Sequence, residues 1–233
     1  MSGIELQQVS KIYPSGHQQV QALVDLTLSI DDGEFCVLAG PSGSGKTTLL
    51  NLIGCLDRAT SGTIRLFGQD VATCSARQLA DFRLQRIGFV FQSYNLIPVL
   101  SAEENVAFPL MLRGVGRDER RRRALELLTV LGLVGLEHRR PADLSGGQQQ
   151  RVAVARALVG EPSVVLADEP TANLDTGNSV ELLEMMHRLN RERGTTFIFS
   201  SHDPLVIKQA ERVIELQDGR LKADNRRCSA HET

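Results

Sequence analysis

The nine residues Gly40-Pro41-Ser42-Gly43-Ser44-Gly45-Lys46-Thr47-Thr48 have the types and spacing of a loop that holds phosphates. In the pattern G-x-x-x-x-G-K-T, glycines let backbone N–H groups approach phosphate oxygens, Lys46 reaches the terminal phosphates, and the Thr47 hydroxyl is placed for Mg²⁺. A bland glycine turn has no use for Lys46.

A second anion-seeking turn stands about a hundred residues on, in Leu144-Ser145-Gly146-Gly147-Gln148-Gln149-Gln150-Arg151. A Ser-Gly-Gly turn that opens a helix forms an anion site from backbone N–H groups and the helix dipole. One triphosphate already has its cradle, so this turn calls for a second nucleotide. A partner chain is the simplest supplier.

Between and after these turns lie groups suited to hydrolysis. Val164-Val165-Leu166-Ala167-Asp168-Glu169-Pro170 is an apolar strand ending in adjacent carboxylates. Ligands of open α/β sheets gather at the carboxyl ends of strands, which places Asp168 to bind Mg²⁺ directly or through water. Glu169 then becomes the base that orients an attacking water; the competing reading makes the pair a helix cap or solvated turn. His202 follows the strand Thr196–Ser200 and is expected at the same sheet edge as Asp168, aimed at the γ-phosphate or the lytic water rather than serving as a surface residue. Gln92 closes the strand Ile87–Phe91 and is placed to report Mg²⁺ or water occupancy to the helical region beyond it.

The elements that must position these groups change in character along the chain. Ile4–Lys11, Ala22–Ile30 and Glu34–Ala39 read as strands separated by the turns Pro14-Ser15-Gly16 and Asp31-Asp32-Gly33. A helix is predicted from Gly45 to about Leu56 and a strand over Thr63–Leu66, the strand, loop and helix order that a phosphate loop requires. From Gln92 to Gly147 strand patterns vanish, and helices are predicted over Ala102–Leu112 and Asp118–Leu131, where Ala124, Leu127, Leu128 and Leu131 recur at helical spacing. A strand at Val164–Ala167, a helix from Thr176 to Arg193, the strand Thr196–Ser200, a short helix after Pro204 and a hairpin around Asp218-Gly219 complete an α/β core. Alternating strands and helices imply a parallel sheet with both faces covered. The tail from Asp224 to Thr233 is polar and unpatterned, with disorder as its expected state.

Composition narrows the classes further. A chain of 233 residues suits one large domain or two closely joined ones, and 42% hydrophobic with 23% charged residues lies in the soluble globular range. The net charge of -2 gives no global footprint for nucleic acid. No apolar run approaches the roughly 18 residues of a membrane span, and the N-terminus has no basic flank or apolar signal core. The expected place is the cytosol, with any membrane role exercised through another subunit. Cys36, Cys55, Cys74 and Cys228 are scattered, which suggests reduced structural thiols rather than a zinc site or disulfides.

With these motifs placed in order, the chain from Ile4 to about Ala223 resembles the nucleotide-binding subunit of ATP-binding cassette (ABC) transporters. The resemblance implies a P-loop NTPase core with a mostly parallel sheet, an N-terminal antiparallel β subdomain and an inserted α-helical subdomain. Its single domain is expected over 1–223, with the core at 1–92 and 160–223 and the helical part at about 93–159. Gly40–Thr48 then corresponds to the phosphate loop, Gln92 to the Q-loop, Leu144–Gln148 to the signature motif, Asp168 and Glu169 to the Mg²⁺ aspartate and catalytic glutamate, Asn173-Leu174-Asp175 to the D-loop, and His202 to the switch histidine. The resemblance also gives Tyr13 the role of stacking on adenine. It further implies ATP and Mg²⁺ as ligands and a head-to-tail homodimer. In that dimer Ser145, Gly146, Gly147 and Gln148 of one copy close over the γ-phosphate held by Lys46 of the other, so that ATP binding closes the dimer and hydrolysis reopens it. The dimer would drive an integral membrane permease at the cytoplasmic face of the inner membrane, and no nucleic-acid partner is implied.

Phe91-Gln92-Ser93-Tyr94-Asn95-Leu96-Ile97-Pro98, Glu104-Asn105-Val106, the Gln-rich signature and Leu166–Thr171 are similar to the lipoprotein-release, macrolide-efflux and cell-division group (LolD, MacB, FtsE). Ala172 departs from that group, which usually has Gly there. An amino-acid or methionine-type importer is the alternative within the family, and a soluble ABC ATPase acting on nucleic acid or ribosomes the alternative outside transport. A GTP switch would need an Asn-Lys-x-Asp guanine reader, which the sequence lacks. Leu96, Ile97, Val99 and Leu100 read either as a groove for a membrane subunit's coupling helix or as core packing. Arg117 and Arg120–Arg123, interleaved with Asp118 and Glu119, read as a solvated helix face in preference to a lipid or nucleic-acid patch.

Overall fold

A long β-hairpin opens the chain in the computed structural model, which describes residues 2–16 and 18–227. Strands β1 (Ser2–Ser15) and β2 (Gln18–Asp31) pair antiparallel, burying Ile4, Leu6 and Val9 of one and Leu23, Leu26, Leu28 and Ile30 of the other. Their register shifts between Leu6 and Val9, where Gln8 takes φ 50°, and again between Val9 and Lys11, where Asp25 on the facing strand takes φ 47°. Such bulges keep apolar side chains inward where strict alternation would expose them.

The described residues form two compact units, one running to Ala80 and resuming at Thr196, the other spanning Asp81–Thr195. In the first unit β4 (Ser61–Leu66) pairs antiparallel with the other edge of β1 and carries the short β5 (Gln69–Asp70), giving the order β2-β1-β4-β5. Its second set of strands centres on β3 (Phe35–Ala39), every residue of which is buried. Parallel neighbours β8 (Thr196–Ser200) and β9 (Arg212–Gln217) flank it. Continuous apolar runs are what a parallel sheet covered on both faces demands, and Phe35 meets Phe199 and Phe197 at centroid distances of 4.7 and 5.7 Å. The hairpin at Asp218-Gly219 leads to β10 (Arg220–Arg226), antiparallel to β9. Helices α1 (Lys46–Ile53) and α7 (Pro204–Gln209) also belong to this unit.

The polar stretch from Asp224, expected to be an unpatterned tail, continues β10 to Arg226. Electrostatics explains the difference: Arg212, 4% exposed, holds Asp224 at 2.7 Å and Glu34 at 2.6 Å. Residues 228–233, with Cys228, lie outside the described residues.

The chain passes from the first unit to the second within α2 (Ala76–Arg86), a helix that hydrophobic periodicity does not announce because Leu79 is its one buried residue. A capping box begins it: Ser75 and Gln78 exchange hydrogen bonds of 2.8 and 3.3 Å. In the second unit β6 (Ile87–Val90) and β7 (Val164–Asp168) pair in parallel, Ile87 opposite Val164 and Val90 opposite Ala167. Helices α3 (Ala102–Leu112), α4 (Arg117–Val130), α5 (Gly146–Leu158) and α6 (Thr176–Arg193) complete it. Ala124, Leu127, Leu128 and Leu131 are buried, as their spacing predicts. A Cβ on Gly88 would lie 2.4 Å from the Ala157 carbonyl oxygen, so only glycine lets β6 approach α5 this closely. The unit boundaries at 80/81 and 195/196 group β6, β7 and α6 with the helices, whereas the sequence reading divides the chain at 92/93 and 159/160.

Candidate nucleotide site

The first unit carries the phosphate loop as a turn between β3 and α1. Gly40, Gly43 and Gly45 have φ of 147°, 80° and 102°, and a Cβ would stand 2.2 Å from the Leu216 carbonyl oxygen at Gly40 and 2.6 Å from that of Ala22 at Gly45. Glycine is therefore obligatory there for space as well as conformation. Gly45 caps α1 without any side-chain hydrogen bond, so the helix's first N–H groups are offered to an anion instead. Lys46 is 8% exposed, and its ammonium donates to the carbonyl oxygens of Gly40 and Pro41 at 2.7 and 2.9 Å. The loop is further held by the Gly219 N–H, which donates to the Ser44 carbonyl at 3.2 Å. Ser44 Oγ is buried with no hydrogen-bond partner, while Pro41, Ser42, Gly43 and Thr47 are exposed. A glycine cradle that a Cβ would fill, an inward-folded ammonium and an unsatisfied hydroxyl together fit a bound phosphate chain.

His202 lies just past β8, exposed, between buried Ser201 and the α7 cap residue Asp203. Ser201 Oγ accepts from the Asp203 N–H at 3.1 Å, and Asp203 Oδ1 from the Leu205 N–H at 2.8 Å, so the residues on both sides of His202 are braced. Tyr13, on β1, donates its hydroxyl to Asp57 Oδ2 at 2.7 Å. Burial, then the Asp57 carboxylate, pushes the Tyr13 phenol up from its ordinary value.

The second unit carries the remaining candidates. Asp168 ends β7, and Glu169 follows at φ 46°, a left-handed conformation that is strained for a side chain of its kind. Ser145 caps α5: its hydroxyl accepts from the Gln148 N–H at 3.3 Å while Gln148 Oε1 accepts from the Ser145 N–H at 2.9 Å. That box sets the outermost turn of the helix, and the Ser145 proton stays available for a donor role. Asn178 Oδ1 lies 3.3 Å from where a Cβ on Gly147 would stand. Asp175 caps α6 and accepts from both the backbone N–H and the side-chain amide of Asn178 at 2.9 and 2.6 Å. Those bonds, the backbone one first, hold its carboxyl below the usual carboxylate range.

Gln92 is exposed past the end of β6, and its carbonyl oxygen accepts from Asn173 Nδ2 at 2.9 Å. The next turn holds Tyr94 and Asn95 at φ 60° and 49°. Largely buried Arg156 donates to both of their carbonyl oxygens, and burial pulls its guanidinium down from its ordinary value. Ala172 keeps a negative φ and is exposed, so the departure from glycine costs no backbone strain.

Sequence reasoning missed Gln150, Asn173 as a partner of Gln92, Arg156, Lys11 and Asp57. Their signal is weak, since each acts through hydrogen bonds to residues far away in the chain. Among the described residues no group of three or more His, Cys, Asp and Glu side chains gathers as a metal nest. Mg²⁺ commonly completes its shell with water and phosphate oxygens rather than a protein cage, and the exposed Thr47 hydroxyl at the phosphate loop has the chemistry of one such ligand. Cys36, Cys55 and Cys74 are buried.

The sequence profile described as "ABC transporter" matches residues 23–172. The chain belongs to this family. It is an ATP-binding cassette. A dimeric bacterial ABC transporter cassette, MJ0796, superimposes with a TM-score of 0.89 at 42% identity, covering 96% of this chain and 98% of that one; one of its structures is a post-hydrolysis state bound to ADP and Pi. The cassette also resembles cbiO1 of Clostridium perfringens, part of the cbiONQ transporter complex (TM-score 0.87, 28% identity, 97% and 88% coverage). In sequence it is 50% identical over 218 residues to the macrolide export ATP-binding/permease protein MacB of Escherichia coli K12, and equally so to that of Shigella flexneri. The match takes 94% of this chain and 34% of MacB, so the cassette spans about a third of the length of these curated relatives.

Proposed function

We propose that this cassette works as a head-to-tail homodimer that closes on two ATP molecules, reopens on hydrolysis, and drives a membrane permease of the LolD/MacB/FtsE kind. The observation that carries this reading is the presence of two anion-binding helix starts, at Gly45 and Ser145, where one triphosphate needs one. The identity to MacB supports the permease class and the export direction.

In this reading Lys46, the backbone of Gly40–Thr48 and Tyr13 hold the nucleotide, with Tyr13 against the adenine. Thr47, Asp168 and Gln92 hold Mg²⁺, whose charge offsets that developing on the phosphates. Glu169 orients the attacking water and takes its proton, His202 contacts the γ-phosphate, and Asp175 fixes the start of α6 beside the partner's nucleotide. Ser145 to Gln148 serve the ATP of the second copy. No helix among the described residues is long and apolar enough to cross a membrane, so attachment at the cytoplasmic face through the permease is part of the proposal.

The docking surface that suits such a permease is a groove of about 610 Å³ in the second unit, whose lining includes apolar Leu100, Phe108 and Met111 and charged Arg120, Arg121 and Glu103. Leu96, Ile97 and Leu100 are half-buried and Val99 is 72% exposed, so none of the four belongs to the core. Buried Asn105 braces their loop, its amide donating to the carbonyls of Ile97, Leu100 and Ser101 while Oδ1 accepts from the Ile97 N–H. Arg122 and Arg123 pair with Glu119 on the helix surface, which supports the solvated-face reading for that part of the arginine run.

Complementation tests the shared site. Lys46→Ala and Ser145→Arg chains are each expected to be inactive as homodimers. Mixed, they should recover up to one active site per heterodimer. Absence of recovery where heterodimers demonstrably form would overturn the model of sharing.

A further inference from the structure

Asp57 sits in the turn after α1 and receives three donors. Its Oδ1 accepts from the Lys11 ammonium at 2.6 Å and from the Arg58 N–H at 2.7 Å, and its Oδ2 accepts from the Tyr13 hydroxyl at 2.7 Å. Lys11 also donates to the Arg58 carbonyl at 2.7 Å, and its nitrogen stands 4.8 Å from the centroid of the Tyr13 ring. The Lys11 and Asp57 side chains are 11% and 30% exposed. The Thr48 side chain, inside the phosphate loop, also meets the Tyr13 phenol.

These contacts fix both degrees of freedom of a tyrosine side chain. The carboxylate holds the tip of the ring, and the ammonium occupies one face by a cation–π contact. Only the opposite face is then left for a planar ligand. Asp57 belongs to the turn that ends α1, while Lys46 begins that helix, so a short rigid helix links the phosphate cradle to the ring. Its pairing with Lys11 has a second consequence: the carboxylate's negative charge is compensated and does not repel a triphosphate.

We propose that Asp57 is a positioning residue for nucleotide binding, which through the Tyr13 hydroxyl and the Lys11 ammonium presents one face of the Tyr13 ring to the purine base at a set distance from the phosphate loop. This rests on the reading of Tyr13 as the adenine platform. The competing role for Asp57 is a staple that merely joins the end of α1 to β1.

Comparing Mg²⁺-ATP with Mg²⁺-tripolyphosphate, which has the phosphates and no base, separates the two. The informative quantity is the ratio of the two affinities, in which any effect of altered charge on the phosphates cancels. Asp57→Asn and Tyr13→Phe are each expected to reduce the preference for ATP about threefold to tenfold, a part of the contribution of a base stack. The double variant should lose no more than the larger single effect, because both act on one contact. Tyr13→Ala should lose the most.

If Tyr13→Ala weakens the preference and Asp57→Asn and Tyr13→Phe leave it intact, the platform stands and the positioning role is overturned. An Asp57→Asn protein that weakens for ATP and tripolyphosphate alike makes Asp57 a staple and also overturns the role. Preference unchanged in Tyr13→Ala removes the platform itself, and with it the proposal.

Discussion

Gln150, fully buried in α5, donates from Nε2 to the carbonyl oxygen of Pro170 at 2.6 Å. Pro170 directly follows Glu169, so the helix that begins at the Ser-Gly-Gly turn is bonded to the backbone that aims the carboxylate. The glutamine run thus divides its labour. Gln148 closes the cap, Gln149 Nε2 donates to the Leu144 carbonyl at 3.1 Å, and Gln150 reaches inward.

Replacing Gln150 by Leu leaves the Pro170 carbonyl without that donor in an apolar setting. The loss expected in urea unfolding is about 1–3 kcal/mol. ATP binding should survive, and kcat should fall by up to roughly 10²-fold, the scale of a displacement of about 1 Å at a reacting group. Wild-type kcat in a folded Gln150→Leu protein would show that the bond does not aim Glu169.

Thr171 gives the opposite expectation. Its hydroxyl is buried and has no hydrogen-bond partner, so it carries a desolvation cost with no return in this conformation. Thr171→Val keeps the shape and should match the wild type or exceed it by up to about 1 kcal/mol in thermal unfolding. A clear loss of stability would mean that the hydroxyl is satisfied in solution.

Much of this was legible in the sequence, for identifiable reasons. The loop Gly40–Thr48 announces itself because its backbone must approach phosphate at fixed intervals, and α4 because Ala124, Leu127 and Leu128 face one core. Helix α2 was hidden because it buries only Leu79, leaving a cap as its sole mark. Strand β10 beyond Ala223 was hidden because ion pairs rather than apolar residues hold it. Gln150, Asn173 and Asp57 act across 20, 81 and 44 residues of chain respectively. No local spacing encodes such contacts.

Acid sensitivity should reach β10 through Asp224. The hydrogen bonds from Arg212 hold its carboxyl below the ordinary aspartate value. A group lowered on folding stabilises the protein above its unfolded pKa of about 4, and the contribution is lost as pH falls through the folded value. Asp224→Asn should therefore cost stability at pH 7, about 1–2 kcal/mol given that the side chain is 31% exposed. The gap from the wild type should shrink as the pH is lowered below 4. A gap independent of pH would assign the loss to packing rather than to the ion pair.

Glu169, the base in the proposed function, also carries a backbone cost, and two substitutions separate the two. Glu169→Gln keeps the shape and the φ of 46° but removes the base, so hydrolysis should fall about 10²–10⁴-fold while ATP binding persists and an ATP-bound dimer accumulates in gel filtration. Glu169→Gly removes the base and also relieves the left-handed strain, which costs about 1–3 kcal/mol for a residue with a side chain, against about 0.5–1 kcal/mol for glycine's greater freedom when unfolded. This variant should be inactive yet at least as stable as the wild type. Turnover by Glu169→Gln at the wild-type rate would remove Glu169 as the base. A lowered unfolding midpoint in Glu169→Gly would show that the glutamate side chain, and not the bond from Gln150 to Pro170, holds the turn.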